Sequence, residues 1–198
     1  MAAKYHPTLN AAALLFVYFA AMAGGIVELS IAAGYLTEDG APGMVFAGVV
    51  ALAAGLAFLA WSLWGLHRNS LVLRRLAFPA LLVAAAAHIT VLAGGLAASE
   101  GSLGMSHLAA LGLTLMALAG GGWLCRQQKT NDGGAHGLPR TGRLLAAAFG
   151  AAVVVASVAT PGLAASMAGQ QAVPHGEHGL APSDGTPSGL IPGGHHQK

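Results

Sequence analysis

Charged residues are scarce in this sequence. Only 8% of its 198 residues are Asp, Glu, Lys or Arg, whereas 55% are hydrophobic and the mean hydropathy is +0.65. A soluble domain carries about 25% charged residues, so this composition excludes a typical soluble enzyme. The formal net charge is +2, and the cations do not form the clustered basic face that nucleic-acid binding requires. We therefore predict a membrane protein that does not bind nucleic acid.

Cysteine is almost absent as well. The single Cys125 excludes an intramolecular disulfide and any CxxC metal or redox motif. The sequence also lacks the P-loop, GxSxG and HExxH motifs of nucleotide hydrolysis, acyl transfer and zinc peptidase chemistry. We therefore expect that the protein is not an enzyme, and that any site is built mainly from His, Met and carboxylate side chains.

The sequence does contain five apolar runs of membrane-spanning length. A spanning helix needs roughly 20 apolar residues, because each residue rises about 1.5 Å through a hydrocarbon core about 30 Å thick. The runs cover residues 10–36, 44–66, 76–98, 105–125 and 144–165. They predict an all-α fold, a polytopic transmembrane helix bundle of five spans in the lipid bilayer. The alternative is four spans followed by a C-terminal anchor.

The cations predict the orientation of the bundle. Eight of the nine lie before the first run, between the second and third, and between the fourth and fifth: Lys4, Arg68, Arg74, Arg75, Arg126, Lys129, Arg140 and Arg143. The ninth, Lys198, follows the fifth run. The opposite connections carry Glu38, Asp39 and Glu100 instead. Because cations favour the cytoplasmic side, we expect a multi-pass protein of the bacterial plasma (inner) membrane with a cytoplasmic N-terminus and an external C-terminus.

Two regions follow from these runs, a transmembrane bundle over residues 1–165 and a tail over residues 166–198. The tail is rich in glycine and contains four prolines, with almost no apolar cluster to offset the entropy of ordering. We predict a flexible, disordered external tail. The small residues around Ala165 also resemble a signal-peptide cleavage site, and cleavage there would release the tail.

Two ionisable side chains lie deep inside the predicted spans. Glu28 shares a helical face with small residues such as Gly24 and Gly25, and His88 shares one with Ala84 and Ala85. Small residues mark the faces on which membrane helices pack, so both side chains should point into the bundle. An unpaired charge at that depth costs at least about 2.5 kcal/mol. We therefore predict that Glu28 and His88 are partners, as a structural pair, a proton relay or a deep metal site.

A second group of potential metal ligands is predicted at the external ends of the helices. Met44, Met105 and His107 open the second and fourth runs, and Met167 follows the fifth. A set of thioethers and an imidazole suits copper, especially Cu(I). With a rise of about 1.5 Å per residue, His107 is expected about 12 Å above His88.

The tail contributes the third group, which consists of imidazoles alone. These are His175, His178, His195 and His196. Short His-rich tracts in flexible chain are typical of metal binding, and the affinity order of divalent ions favours Cu(II). The spacing matches no closed structural zinc site, so we expect loose, exchangeable capture.

The leading hypothesis is a plasma-membrane protein that binds or handles a transition metal at its external face. Copper ion is the favoured metal, captured by the tail and passed to the external methionine and histidine ligands. One alternative is a b-type haem protein of electron transfer with His88 and His107 as axial ligands, which the expected difference in depth disfavours. Another is an accessory or assembly subunit of a larger respiratory or transport complex, or a homo-oligomer, in which the small-residue faces bind other helices.

Overall fold

The structure, a computed structural model, describes residues 7–37, 42–98, 104–130 and 141–166. These residues form five α-helices and no strand: α1 (Pro7–Thr37), α2 (Pro42–Arg68), α3 (Arg74–Ala98), α4 (Gly104–Thr130) and α5 (Thr141–Ala164). All five are long and apolar enough to cross a membrane. The predicted all-α bundle of five spans is thereby confirmed. The tail after Ser166 lies outside the described residues.

Proline and threonine define several helix ends. Pro7 and Pro42 open α1 and α2, where the missing N–H of proline has no helical partner to lose. Thr37 closes α1 and donates its hydroxyl to the carbonyl oxygens of Ala33 and Gly34. The helices begin up to three residues before the predicted runs and α4 ends five residues after its run, because the apolar pattern marks the hydrocarbon-embedded part and not the capped ends.

Helix α1 is the centre of the bundle and packs against α2, α4 and α5, while α3 packs mainly against α4. The backbones of α1 and α2 approach closely where two glycines face each other. A Cβ on Gly25 would lie 2.9 Å from the carbonyl oxygen of Gly55, and one on Gly55 would lie 2.8 Å from that of Gly25. Small residues at helix contacts allow such an approach, which confirms the predicted packing face of α1.

Helices that follow one another along the chain run antiparallel, so the bundle has two distinct ends. We call the end at which α1 begins the inner end and the opposite end the outer end. At the inner end, the fully buried Tyr18 donates its hydroxyl to the Ser70 carbonyl oxygen (2.7 Å) and accepts the Val72 N–H (3.1 Å). Trp61 donates to the Val72 carbonyl oxygen (2.9 Å) and stacks edge-on against Tyr18. This cluster, which we call the Tyr18 anchor, fixes the turn between α2 and α3.

Two serine contacts hold the outer end of α5. Ser106 on α4 donates its hydroxyl to the carbonyl oxygen of Gly162, one of the last carbonyls of α5. Ser166 is buried, and its hydroxyl lies 2.5 Å from that of Ser30 on α1. Carbonyl groups in the last turn of a helix have no partner within the helix, so Ser106 also satisfies a polar atom that would otherwise be orphaned. The residue directly after Ala165 is thus packed into the bundle.

Candidate functional site

Three buried ionisable side chains and a tyrosine meet in the outer half of the bundle. Glu28 and Tyr35 come from α1, His88 from α3 and His107 from α4. Glu28, His88 and His107 are only 5%, 4% and 4% exposed. We call this group the histidine centre. The predicted inward orientation of Glu28 and its pairing with His88 are confirmed.

The four side chains form a continuous chain of contacts. Oε1 of Glu28 lies 2.8 Å from Nε2 of His88, and Nδ1 of His88 lies 3.1 Å from Nδ1 of His107. Nε2 of His107 lies 3.1 Å from the hydroxyl of Tyr35, which completes the chain back to α1. Each imidazole therefore faces the other through Nδ1 and holds an oxygen partner at Nε2.

The contact between Glu28 and His88 is a short approach of a carboxylate oxygen to an imidazole nitrogen. Nε2 of His88 is buried within 2.8 Å of the carboxylate, yet it makes no aligned hydrogen bond with any described residue. The carboxylate oxygen thus lies off the direction of the ring N–H. A buried polar nitrogen with a misaligned partner is an unusual feature, since the large majority of buried side-chain polar atoms are hydrogen-bonded.

Helix spacing explains why the sequence brings these groups together. Glu28 and Tyr35 are seven residues apart, which is close to two helical turns and places both on one face of α1. His88 and His107 lie on the faces of α3 and α4 that carry small residues, such as Ala85. These faces admit a neighbouring helix, so the two imidazoles enter the same interior space.

The expected depth of His107 is wrong. The sequence estimate placed it about 12 Å above His88 by counting about 1.5 Å per residue from helix ends taken to be level. The imidazoles are instead in direct contact, with ring centroids 5.4 Å apart. Counting residues from the helix ends leaves out the tilt and relative height of α3 and α4 and the reach of both side chains, so it did not predict this contact.

The external methionines do not join the histidine centre. Met105 is 51% exposed, whereas His107 two residues later is buried. Two residues on an α-helix are separated by roughly 200° around its axis, so their side chains take opposite faces. Met44 lies half-buried at the start of α2. Met167, His175, His178, His195 and His196 lie outside the described residues, so the predicted ligands in this part of the chain stay predictions.

Sequence reasoning missed the role of Tyr35. Its contact with His107 is not predicted, because the depth expected for the imidazole lies about 12 Å above His88. The signal that could have predicted this contact is a polar aromatic residue two helical turns from a carboxylate inside the same span. A buried tyrosine hydroxyl usually finds a hydrogen-bond partner, and at this position the available partner is an imidazole.

The histidine centre offers two nitrogen ligands to a metal. Bonds of about 2.0–2.1 Å to a tetrahedral ion place two imidazole nitrogens about 3.3 Å apart, close to the 3.1 Å between the Nδ1 atoms. Glu28 and Tyr35 then occupy the positions of outer partners that hold ligating imidazoles in one tautomer and orientation. Within the described ranges, no three His, Cys, Asp or Glu side chains converge as a metal-binding group.

Comparisons with known protein families, curated proteins and solved structures found no match to this chain.

Proposed function

We propose that this protein handles a transition metal, with copper favoured, in a bacterial plasma membrane, and that the histidine centre is its intramembrane binding position. The observation that carries the proposal is the convergence of His88 and His107 through their Nδ1 atoms, 3.1 Å apart and almost fully buried. Each ring also has an oxygen partner at its remote nitrogen. Helix packing alone does not require two imidazoles in this mutual orientation.

Binding of an ion replaces the hydrogen bond between the two rings. In that bond, one Nδ1 carries the proton and the other accepts it, whereas both must be unprotonated to ligate a metal. The imidazole that donated through Nδ1 must therefore carry its proton on Nε2 instead. Glu28 lies 2.8 Å from Nε2 of His88 and the Tyr35 hydroxyl lies 3.1 Å from Nε2 of His107, so these oxygens become the acceptors once each ring turns into line with its partner. The same turn directs both Nδ1 lone pairs at the ion.

Copper fits this donor set better than zinc does. Structural zinc sites are almost always tetrahedral with four ligands, whereas two imidazoles are the only converging nitrogen donors in the described part of the centre. Imidazole suits copper as well as zinc, whereas thioether ligands, which the sequence also offers, select Cu(I). The Met and His residues at the external end and in the tail, if they bind copper as the sequence predicts, would supply the ion.

The haem alternative requires a different arrangement of the two rings. Axial imidazoles of one iron place their ligating nitrogens about 4 Å apart, with a porphyrin plane between them. The direct contact of the Nδ1 atoms leaves no space for that plane. A haem would therefore need the α3–α4 contact to open, and we do not favour this function.

The test is a titration of the purified full-length protein with Cu(I) in competition with a chromophoric chelator. We expect one tightly bound ion in the wild type and its loss in His107→Gln, which keeps a polar side chain at the position. The matched control is His67→Gln, because His67 is an exposed imidazole at the inner end of α2. This control should bind copper as the wild type does.

A second variant distinguishes the loss of a copper ligand from misfolding of the protein. The double variant Glu28→Met/His88→Leu removes the charged pair as a unit and leaves no unpaired buried charge. It should fold and should also lose the tightly bound ion. Equal copper in the wild type, His107→Gln and this double variant would overturn the proposal. Such a result would favour a structural centre within an accessory subunit.

A further inference from the structure

A groove opens on the surface of the bundle at its inner end, remote from the histidine centre. It has a volume of about 380 Å³ and lies between α1 and α5, with Trp123 of α4 also in its wall. Its other lining residues are apolar: Leu9, Ala12, Ala13 and Phe16 on α1, and Ala147, Gly150, Ala151 and Val154 on α5. The groove is open at the side, toward the surrounding lipid.

Two arginines stand at the inner mouth of this groove. Arg143 precedes Ala147 by four residues and Gly150 by seven, so it continues the α5 side of the groove toward the membrane surface. Arg126 follows Trp123 by three residues and continues the α4 side in the same direction. Both arginines are exposed. The site therefore combines an apolar groove within the bundle with two cations at the inner end of that groove.

The length of the site matches one leaflet of a bilayer. From Arg143 to Val154 there are eleven residues, which correspond to about 16 Å along a helix axis. Half of a hydrocarbon core about 30 Å thick is about 15 Å. A partner helix would need a contact face along the whole membrane-spanning length of the bundle. An acyl chain of one leaflet needs only half of that length, which is the length of this site.

We propose that this groove binds an anionic phospholipid, with one acyl chain between α1 and α5 and the phosphate at Arg143 and Arg126. Arginine forms short, charge-assisted hydrogen bonds with phosphate oxygens. Trp123 lies about one helical turn from Arg126, and tryptophan is enriched at membrane interfaces. This inference is independent of the proposed copper site.

The experiment measures lipid binding to the full-length protein by native mass spectrometry in a mild detergent. The probes are phosphatidylglycerol and phosphatidylcholine with identical acyl chains. We expect one phosphatidylglycerol molecule to bind and to be preferred over phosphatidylcholine. Arg143→Gln should lower that preference about fivefold, since one cation near the surface contributes that much to the attraction of an anionic lipid. The charge control is Arg75→Gln, an exposed arginine at the inner end of α3.

A second variant fills the groove without disturbing the bundle. A Cβ on Gly150 would meet no atom within 4 Å, so Gly150→Leu places its side chain in the groove. It should abolish binding of the single lipid. Gly94→Leu on α3, which also has open space around it, should have no effect. Equal binding of the two lipids, or lipid that stays bound in Gly150→Leu, would overturn the proposal. It would also be overturned if the wild type is a dimer, Gly150→Leu is a monomer and both bind the same amount of lipid, since the groove would then be a dimer interface.

Discussion

The histidine centre and the Tyr18 anchor are two buried polar clusters with different chemistry. In the Tyr18 anchor, the Tyr18 hydroxyl and the Trp61 indole bond to backbone groups of Ser70 and Val72. In the histidine centre, a carboxylate and two imidazoles contact one another, and one nitrogen lacks an aligned hydrogen bond. The Tyr18 anchor provides hydrogen-bond partners for backbone groups of a turn. In the histidine centre, the polar side chains provide partners only for one another.

This difference assigns the clusters different roles. Removing the Tyr18 hydroxyl leaves backbone groups without a partner, so that cluster stabilises the fold. Removing the whole histidine centre in favour of apolar side chains leaves no polar group behind, and such replacements of buried ion pairs are often neutral or stabilising. In the proposed function, ligand chemistry accounts for the residues of the centre, because stability alone does not require them.

The largest expected effect is the difference in stability between a variant that removes one partner of the Glu28–His88 pair and a variant that removes both. His88→Leu leaves Glu28 buried without its partner and should lower the free energy of unfolding by about 3–5 kcal/mol. Adding Glu28→Met should restore most of that loss. Reversible unfolding in mixed detergent and SDS measures both. A double variant as unstable as the single one would show that the centre is a structural element like the Tyr18 anchor.

The next effect concerns Glu28 as a partner of a ligating imidazole. Glu28→Gln keeps the shape of the side chain but removes its charge, and loss of such an outer partner typically weakens metal binding 10- to 100-fold. We expect the dissociation constant for Cu(I) to rise within about that range, measured by chelator competition. Unchanged copper affinity would remove Glu28 from the site.

Tyr18→Phe should affect stability and leave copper binding unchanged. It deprives the Ser70 carbonyl and the Val72 N–H of their partner, and an unsatisfied buried group costs about 1–3 kcal/mol. The free energy of unfolding should fall by that amount while the copper stoichiometry stays as in the wild type. Loss of copper in this variant would mean that the two clusters are coupled through α1.

The smallest effect is expected for Tyr35→Phe. Its hydroxyl makes one hydrogen bond to His107, and a bond of this kind contributes about 0.5–1.5 kcal/mol, or roughly two- to tenfold in affinity. Copper should therefore bind slightly more weakly, with the bundle still folded by circular dichroism. A complete loss of binding would instead indicate that Tyr35 is itself a ligand.

Sequence patterns predicted the fold well because membrane spans are governed by length and hydropathy. The same patterns identified the packing face of α1, where Gly25 approaches the backbone of α2. They also paired Glu28 with His88, because two buried ionisable groups in lipid need each other. These inferences depend on properties of single helices.

The relative heights of the helices could not be predicted in this way. The apolar run of α4 does not reveal that His107 contacts His88, because this contact depends on how α4 packs against α1 and α3. The same limitation hid the contact of Tyr35 with His107. It also made Met105 and His107 appear as one ligand set, although a two-residue spacing on a helix separates their side chains.

The most direct test of the copper site is X-ray absorption spectroscopy of the Cu(I)-loaded protein. The full-length chain is used, with His175, His178, His195 and His196 replaced by alanine so that tail imidazoles do not contribute. The proposal predicts imidazole nitrogen ligands at about 2 Å, which disappear in His107→Gln. A spectrum dominated by sulfur at about 2.3 Å, or one unchanged by His107→Gln, would contradict it.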